Sequence, residues 1–206
     1  MIALALLLAL QDPGAVLDRA SAAYDSTRTL SADFVQIVVN PLVGTPDTTR
    51  GTLYQERPSH FEMRFTSPAH DRVVADGRWL WVYTPSTTPK QVFRLPIPAV
   101  GTTGPNLIGQ FVDHPRDRYT ARYLRADSTA EGVSDLIDLV PRAPNQPYSE
   151  AVVWVGRADG LVRRVDITES SNQRRSVILS HLVVNAALPA SEFTFAPPAG
   201  VRVVAP

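Results

Sequence analysis

A chain of 206 residues, 44% of them hydrophobic, is long enough to bury a core, and we expect it to form a single domain. Its 20 basic and 20 acidic residues cancel, so no net field draws the chain toward nucleic acid or an anionic membrane surface. Because the chain has no cysteine, the sequence excludes disulfides, thiolate catalysis, thiolate-bound metal centres and a cysteine-linked lipid anchor.

The first ten residues, MIALALLLAL, are apolar without a break and are followed by Gln11 and Asp12. Ten helical residues cover only about 15 Å, half of the hydrocarbon core of a bilayer, so this segment is too short to span a membrane. Its length and composition are typical of the apolar section of a secretory signal peptide, and a buried first helix is the alternative interpretation. We predict that residues 1–10 are a signal peptide, that the protein is exported, and that residues 11–206 form one domain.

One amphipathic helix is predicted directly after this segment. Asp12 is a suitable N-cap, and Pro13 suits the first helical turn because its missing N–H is not needed there. The apolar residues that follow recur at helical spacing: Val16, Leu17, Ala20, Ala23 and Tyr24.

From Ser31 onward, short apolar segments separated by turn residues predict strands. Asp76-Gly77 and Asp159-Gly160 are typical hairpin turns. No long helix separates the strands, so we expect a continuous antiparallel meander, closed or half-closed, rather than parallel βαβ units. The predicted strands cover about 31–39, 50–56, 59–66, 71–76, 78–84, 90–94, 118–125, 135–140, 150–156, 161–169 and 173–183.

Two of these strands carry an unusual number of large apolar residues. In SHFEMRFTS, the residues Phe61, Met63 and Phe65 alternate with charged ones, which predicts one apolar and one polar face. In RWLWVY, residues 78–83, aromatic side chains occupy one parity and aliphatic ones the other, so both faces favour burial. Two interpretations stay open: a central strand of a plain core, or the wall of a curved sheet that encloses a hollow.

The segment from Leu95 to Pro115 interrupts the strand pattern. It is rich in Gly and Pro, and its centre, PNLIGQF, favours a short helix. A connection of this length inside a compact sheet protein is usually functional and often serves as a lid.

The sequence contains no motif that points to catalysis or metal binding. Nucleophile elbows, phosphate loops and dinucleotide fingerprints are missing, and the four histidines show no ligand spacing. The carboxylate pairs Asp135 with Asp138 and Asp166 with Glu169 lie near strand ends, where we expect them to be solvated. The sequence therefore predicts a binding module for an apolar ligand rather than an enzyme, with no cofactor and no metal.

Several motifs, in order along nearly the whole chain after residue 10, together resemble the periplasmic lipoprotein carrier family LolA. They are SADFVQ at 31–36, Gly51-Thr52-Leu53 followed by Arg57-Pro58 and Phe61, then Pro68, Asp76-Gly77, Leu80, Trp81 and Tyr83, and finally FTFAPPAGV at 193–201.

The resemblance implies a mainly β fold: an unclosed antiparallel barrel of about eleven strands, with an N-terminal helix and a helical lid at about 95–112. It implies that the hollow between barrel and lid takes the acyl chains of lipoproteins that leave the inner membrane for the outer membrane. In this family the arginine of the R-P motif, here Arg57, closes the lid by donating hydrogen bonds to lid carbonyls. The residues expected to line the hollow are Phe34, Phe61, Met63, Phe65, Trp79, Trp81, Tyr83, Leu107, Ile108 and Phe111.

The resemblance also implies a compartment and partners. A carrier of this kind is a soluble periplasmic monomer that binds acylated lipoproteins and no nucleic acid. It receives its cargo from an ABC-type release complex in the inner membrane and passes it to an outer-membrane acceptor where the host has one. Related half-barrels act as lipid-binding regulatory sensors or as glycolipid carriers, and both stay open as alternatives. A hydrolase is the third alternative, and no group of residues favours it.

Overall fold

A computed structural model describes residues 12–97, 105 and 107–205 of the chain. The described helices are α1 (Pro13–Ser26), α2 (Gly109–Val112) and α3 (Pro115–Arg118), with a 3-10 turn at Ala190–Phe193. The strands are β1 (Thr29–Val39), β2 (Pro46–Glu56), β3 (His60–Ser67), β4 (Ala69–Asp76), β5 (Trp79–Tyr83), β6 (Gln91–Pro96), β7 (Tyr119–Thr129), β8 (Gly132–Pro141), β9 (Tyr148–Gly156), β10 (Val162–Glu169), β11 (Arg174–Val184) and β12 (Arg202–Val204).

All twelve strands belong to one sheet, in the order β12-β6-β5-β4-β3-β2-β1-β11-β10-β9-β8-β7. The strands from β1 to β6 and those from β7 to β11 pair in chain order, and β1 pairs with β11 to join the two halves. The strands β12 and β7 end the order, so the sheet is unclosed. The predicted mainly β, unclosed antiparallel fold is confirmed, and each of the predicted strands overlaps an observed one. The prediction missed β12, which pairs with β6 in parallel.

The helix α1 forms where the sequence predicts it. The Asp12 side chain accepts a hydrogen bond from the backbone N–H of Gly14 at 2.9 Å, which caps the first turn. The buried face of α1 includes Val16, Leu17 and Ala20, and the helix contacts α2, α3 and the strands β7, β8 and β9. The helix therefore lies against the inner face of the sheet and completes the core there.

The polar face of β3 is also covered rather than exposed to solvent. The Glu62 side chain is fully buried and forms ion pairs with Arg64 at 2.9 Å and Arg72 at 2.7 Å. Arg64 also pairs with Glu192, which lies in the 3-10 turn near the C-terminus. The C-terminal segment thus packs over this face, and a buried carboxylate is tolerated there because two guanidinium groups satisfy it.

The expectation that Asp135 and Asp138 are solvated is wrong. Their exposed fractions are 1% and 5%, because arginines from neighbouring elements cover them. Asp166 and Glu169 are half-buried, and each forms an ion pair with an arginine. The local sequence pattern predicts that carboxylates near strand ends are exposed to solvent. In the folded sheet, arginines, most of them from other elements, lie next to these carboxylates and pair with them.

The predicted signal peptide, residues 1–10, lies outside the described residues. Within residues 12–97, 105 and 107–205, the longest apolar helical stretch falls short of what a bilayer crossing needs.

Candidate functional site

The inner face of β1, β2 and β3 forms an apolar wall. Phe34, Phe61 and Met63 are buried in it, with exposed fractions of 2% or less. The ring of Phe34 packs edge-on against that of Phe65, with centroids 5.1 Å apart and planes at 83°. The structure therefore brings together the four predicted lining residues of β1 and β3 on one face.

Gly51 allows β2 to approach this wall closely. A Cβ atom at this position would lie 2.0 Å from the carbonyl oxygen of Arg64 and 2.9 Å from the ring of Phe34. No side chain fits there, so a glycine is required where β2 and β3 shift register.

The hollow behind this wall is filled by the short helix α2 and the residues just before it. Leu107, Ile108, Phe111 and Val112 are all buried, with exposed fractions between 0% and 7%. They belong to the same continuous core as the wall residues of β1 and β3. The protein therefore fills its own hollow with the apolar side of the predicted lid segment.

A small cavity lies where the end of α1, the start of β1, the end of β2, the helix α2 and the β9–β10 turn meet, and Tyr24, Arg57, Ile108 and Val112 are among its lining residues. The room for the centre of a water molecule is only about 30 Å³ in this cavity. A cavity of that size holds about one water molecule.

Arg57 anchors the C-terminal end of α1. Its Nη1 donates hydrogen bonds to the carbonyl oxygens of Tyr24 at 2.6 Å and Thr27 at 3.3 Å, and its guanidinium lies 4.0 Å from the centre of the Tyr24 ring. The last carbonyls of a helix lack intrahelical donors, and a guanidinium satisfies them well. Among the residues that the structure describes, the hydrogen bonds of the Arg57 guanidinium thus go to carbonyls at the C-terminal end of α1 and at its C-cap.

A different residue reaches the lid segment. Gln55, buried on the inner face of β2, donates a hydrogen bond from Nε2 to the carbonyl oxygen of Pro105 at 2.6 Å. Sequence analysis missed this residue. The sequence could have indicated it, because Gln55 is two residues after Leu53 and so lies on the same inward face of β2, where an apolar residue is expected.

A pair of buried tyrosines holds the other side of α2. The Tyr119 hydroxyl donates to the carbonyl oxygen of Gln110 at 2.7 Å and lies 2.6 Å from the hydroxyl of Tyr148. The ring of Phe111 packs against both tyrosines, with centroids 6.1 and 5.5 Å away. Burial raises the pKa of Tyr119 and of Tyr148 above the ordinary value, so both remain neutral hydrogen-bonding groups.

Asp135 holds the middle of α1 on the sheet. Its carboxylate pairs with Arg19 of α1 at 2.8 Å and with Arg157 at 2.7 Å, and it accepts a hydrogen bond from the Tyr123 hydroxyl at 3.1 Å. Burial alone raises the pKa of this carboxyl, but the hydrogen bonds from Arg157 and Tyr123 outweigh it and leave the pKa below its ordinary value. Asp135 is therefore ionised at neutral pH, and α1 has an anchor independent of Arg57.

Comparison with known proteins identifies the family to which this chain belongs. The family model described as "Outer membrane lipoprotein carrier protein LolA" matches residues 25–196. The chain belongs to the LolA family. It is 31% identical over 200 residues to an outer-membrane lipoprotein carrier protein of Dechloromonas aromatica, and the match covers 97% of this chain and 92% of that protein.

Solved structures with the same fold as this LolA-family chain are distant in sequence. One is an uncharacterized conserved protein from Thermus thermophilus, with a TM-score of 0.58 and 12% identity, covering 94% of this chain and 98% of that one. Another is the MucA/MucB complex of Pseudomonas aeruginosa, with a TM-score of 0.53 and 13% identity, covering 94% of this chain and 63% of that one. At these identities the likeness concerns the fold alone.

The aromatic residues of β5 lie on the other face of the LolA-type sheet. Trp81 and Tyr83 pack against Phe195 of the C-terminal segment, with centroids 5.6 and 5.7 Å away, and Trp79 lies under the guanidinium of Arg94 at 4.7 Å. The prediction that Trp79, Trp81 and Tyr83 line the hollow disagrees with this placement. The side chains of β5 that face inward are the aliphatic Leu80 and Val82. Through β4, the strand register places them on the same face as Phe61 and Met63.

The described residues contain no group of three or more His, Asp or Glu side chains arranged to hold a metal ion. Of their buried carboxylates, Glu62, Asp135 and Asp138 are each paired with arginine. The fourth, Asp71, accepts hydrogen bonds from the backbone N–H and the hydroxyl of Ser86. The interior that the described residues form here is apolar, and hydrogen bonds from Gln55, Arg57 and Tyr119 hold the segments that cover it.

Proposed function

We propose that this chain is a periplasmic carrier that binds the acyl chains of lipoproteins in its hollow and moves them from the inner to the outer membrane. The supporting observation is an apolar wall that is covered by the protein's own Leu107, Ile108, Phe111 and Val112. A ligand of the same chemistry can replace them when α2 swings out. Family membership and the relatives named as outer-membrane lipoprotein carriers support the choice of acyl chains as that ligand.

The protein's own four side chains and one acyl chain gain a similar free energy from burial against the apolar wall. Burying one large aliphatic or aromatic side chain is worth about 1.5–3 kcal/mol, so the four side chains contribute roughly 6–12 kcal/mol. One long acyl chain prefers an apolar site over water by roughly 10 kcal/mol. Because the acyl chain displaces side chains of similar worth, net binding is weak enough for the cargo to leave again.

The hydrogen bonds of the closed form lower the net affinity for lipid further and so favour release. Arg57, Gln55 and Tyr119 each donate to a backbone carbonyl in the closed form. Loading that separates α1 or α2 from the wall breaks one or more of these bonds and lowers the affinity for lipid. In this proposal Arg57 remains the latch, acting on α1 next to the lid, and delivery to a better acceptor runs downhill.

The remaining parts of the proposal follow from the carrier role. Residues 1–10 direct export, and residues 11–206 act as one monomeric domain in the periplasm. An ABC-type release complex in the inner membrane loads the carrier, and an outer-membrane acceptor unloads it.

A direct test compares a synthetic triacylated lipopeptide with the same peptide lacking acyl chains. Native mass spectrometry of the purified protein is expected to show a one-to-one complex with the acylated peptide and none with the bare peptide. Mass spectrometry of lipid co-purified from the periplasm is expected to show triacylated lipoprotein. Free glycolipid in its place would support a glycolipid carrier, and equal binding of both peptides would contradict the proposal.

A further inference from the structure

The turn between β1 and β2 presents two fully apolar side chains to solvent. Leu42 is 94% exposed and Val43 is 70% exposed. The next most exposed large aliphatic side chain within the described part of the chain, Val183, reaches 50%. Exposure of adjacent large apolar residues is costly in water and commonly marks an interaction site.

Hydrogen bonds fix the backbone of this turn. The backbone N–H of Leu42 donates to Oδ1 of Asn40 at 2.9 Å, and the N–H of Gly44 donates to the Asn40 carbonyl at 2.8 Å. Gly44 adopts a φ of +77°, which a glycine accepts without strain. The two apolar side chains are thus held outward by an ordered turn.

The hairpin carries this turn beyond the core. The last residues of β1 are only partly buried, and the first residues of β2, Pro46 and Asp47, are exposed. The strand β1 has 11 residues and therefore runs roughly 33 Å from Thr29, which pairs with Glu56 beside Arg57, to the turn. The apolar tip and the latch are at opposite ends of the same hairpin.

Charges around the tip largely cancel. The exposed Arg174 pairs in register with Val39, Asp47 pairs with Val38, and Arg175 is bound to Glu169. Attraction by charge alone is therefore weak here, so binding at this tip would depend on the two apolar side chains.

The size and shape of the tip favour a lipid surface over a protein. A stable protein interface buries at least about 1,000 Å², far more than two side chains on a convex turn can offer. A bilayer interface, in contrast, admits a small apolar protrusion without a matching pocket. We propose that the tip formed by Leu42 and Val43 inserts into the surface of a lipid bilayer and holds the carrier there transiently. This inference does not depend on what occupies the hollow.

The absence of cysteine allows a site-specific test. Thr45→Cys, next to the tip, is labelled with an environment-sensitive fluorophore and mixed with vesicles of phosphatidylethanolamine and phosphatidylglycerol. We expect the emission of the label to shift to the blue and to be quenched by bromine-labelled lipid. Both effects should persist in 0.5 M salt, because charges more than about 10 Å apart are already screened at about 0.1 M. The matched control, Glu131→Cys on the exposed β7–β8 turn, should show neither change.

The double variant Leu42→Asp with Val43→Asp, in the Thr45→Cys background, separates the apolar side chains from the rest of the turn. Both residues are exposed, so folding should be unaffected, and the fraction bound to vesicles should fall about tenfold or more. An unchanged emission of the Thr45 label with vesicles, or equal vesicle binding by the double variant, would overturn the proposal. So would protection of the label by a periplasmic protein but not by lipid.

Discussion

Arg57 makes contacts that few other side chains could combine. Its guanidinium reaches the carbonyls of Tyr24 and Thr27 and at the same time stacks on the Tyr24 ring. A planar, permanently charged group with five donors suits this position, and a lysine would lose the stacking and the fork geometry. These contacts join the C-terminal end of α1 to the residue that follows β2.

At the scale of this residue, we expect Arg57→Leu to shift the protein toward the loaded form. The closed form loses its charge-assisted hydrogen bonds, worth about 1.5–3 kcal/mol, so transfer of a triacylated lipopeptide to acceptor vesicles should slow roughly 10- to 100-fold. The rate is measured by the loss of a fluorescent lipopeptide from the carrier. The exposed Arg50→Leu on β2 is the control and should transfer normally; a normal rate for Arg57→Leu would refute the latch.

The helix α2 covers the apolar wall of β1 and β3 and is too short to be stable alone. Four helical residues gain little from their own hydrogen bonds, so packing and side-chain anchors hold them. Gln55 anchors the chain before α2, and Tyr119 anchors it within α2. Such a segment can open as a unit while the sheet behind it stays folded.

The anchor on β2 can be tested without lipid. Gln55→Met keeps the length of the side chain but leaves the Pro105 carbonyl without this donor, which costs about 1 kcal/mol or more in the closed form. Amide hydrogen exchange at residues 107–112 should therefore speed up about fivefold or more. Gln36→Met is the matched control, because Gln36 bonds to Thr49 and Arg175 instead. Equal protection of 107–112 in both variants would show that Gln55 does not hold the lid.

For the whole molecule, the strands and the first helix could be predicted because their signals are local. Alternation, hairpin turns such as Asp76-Gly77 and the Asp12 cap lie within a few residues of the elements they define. The three-residue strand β12 could not be predicted, because it forms only by pairing with β6 more than a hundred residues earlier in the chain.

Which side chains lie on each face of the sheet could also be predicted only where local signals decide it. Phe61 and Met63 could be assigned to one face by parity, but β5 is apolar on both, and only the C-terminal segment decides that Trp81 faces outward. Likewise, Asp135 is buried because arginines on α1 and after β9 reach it. Contacts between distant parts of the chain set these features, and a single sequence does not display them.

The central claim is that acyl chains lie against the inner face of the sheet, and photo-crosslinking tests it most directly. A benzophenone amino acid replaces Phe65, half-buried on the inner side, or Tyr83, half-buried on the outer side. With a triacylated lipopeptide we expect a strong acyl crosslink from position 65 and none from position 83. Equal crosslinking from both positions, or crosslinking only from position 83, would contradict the account.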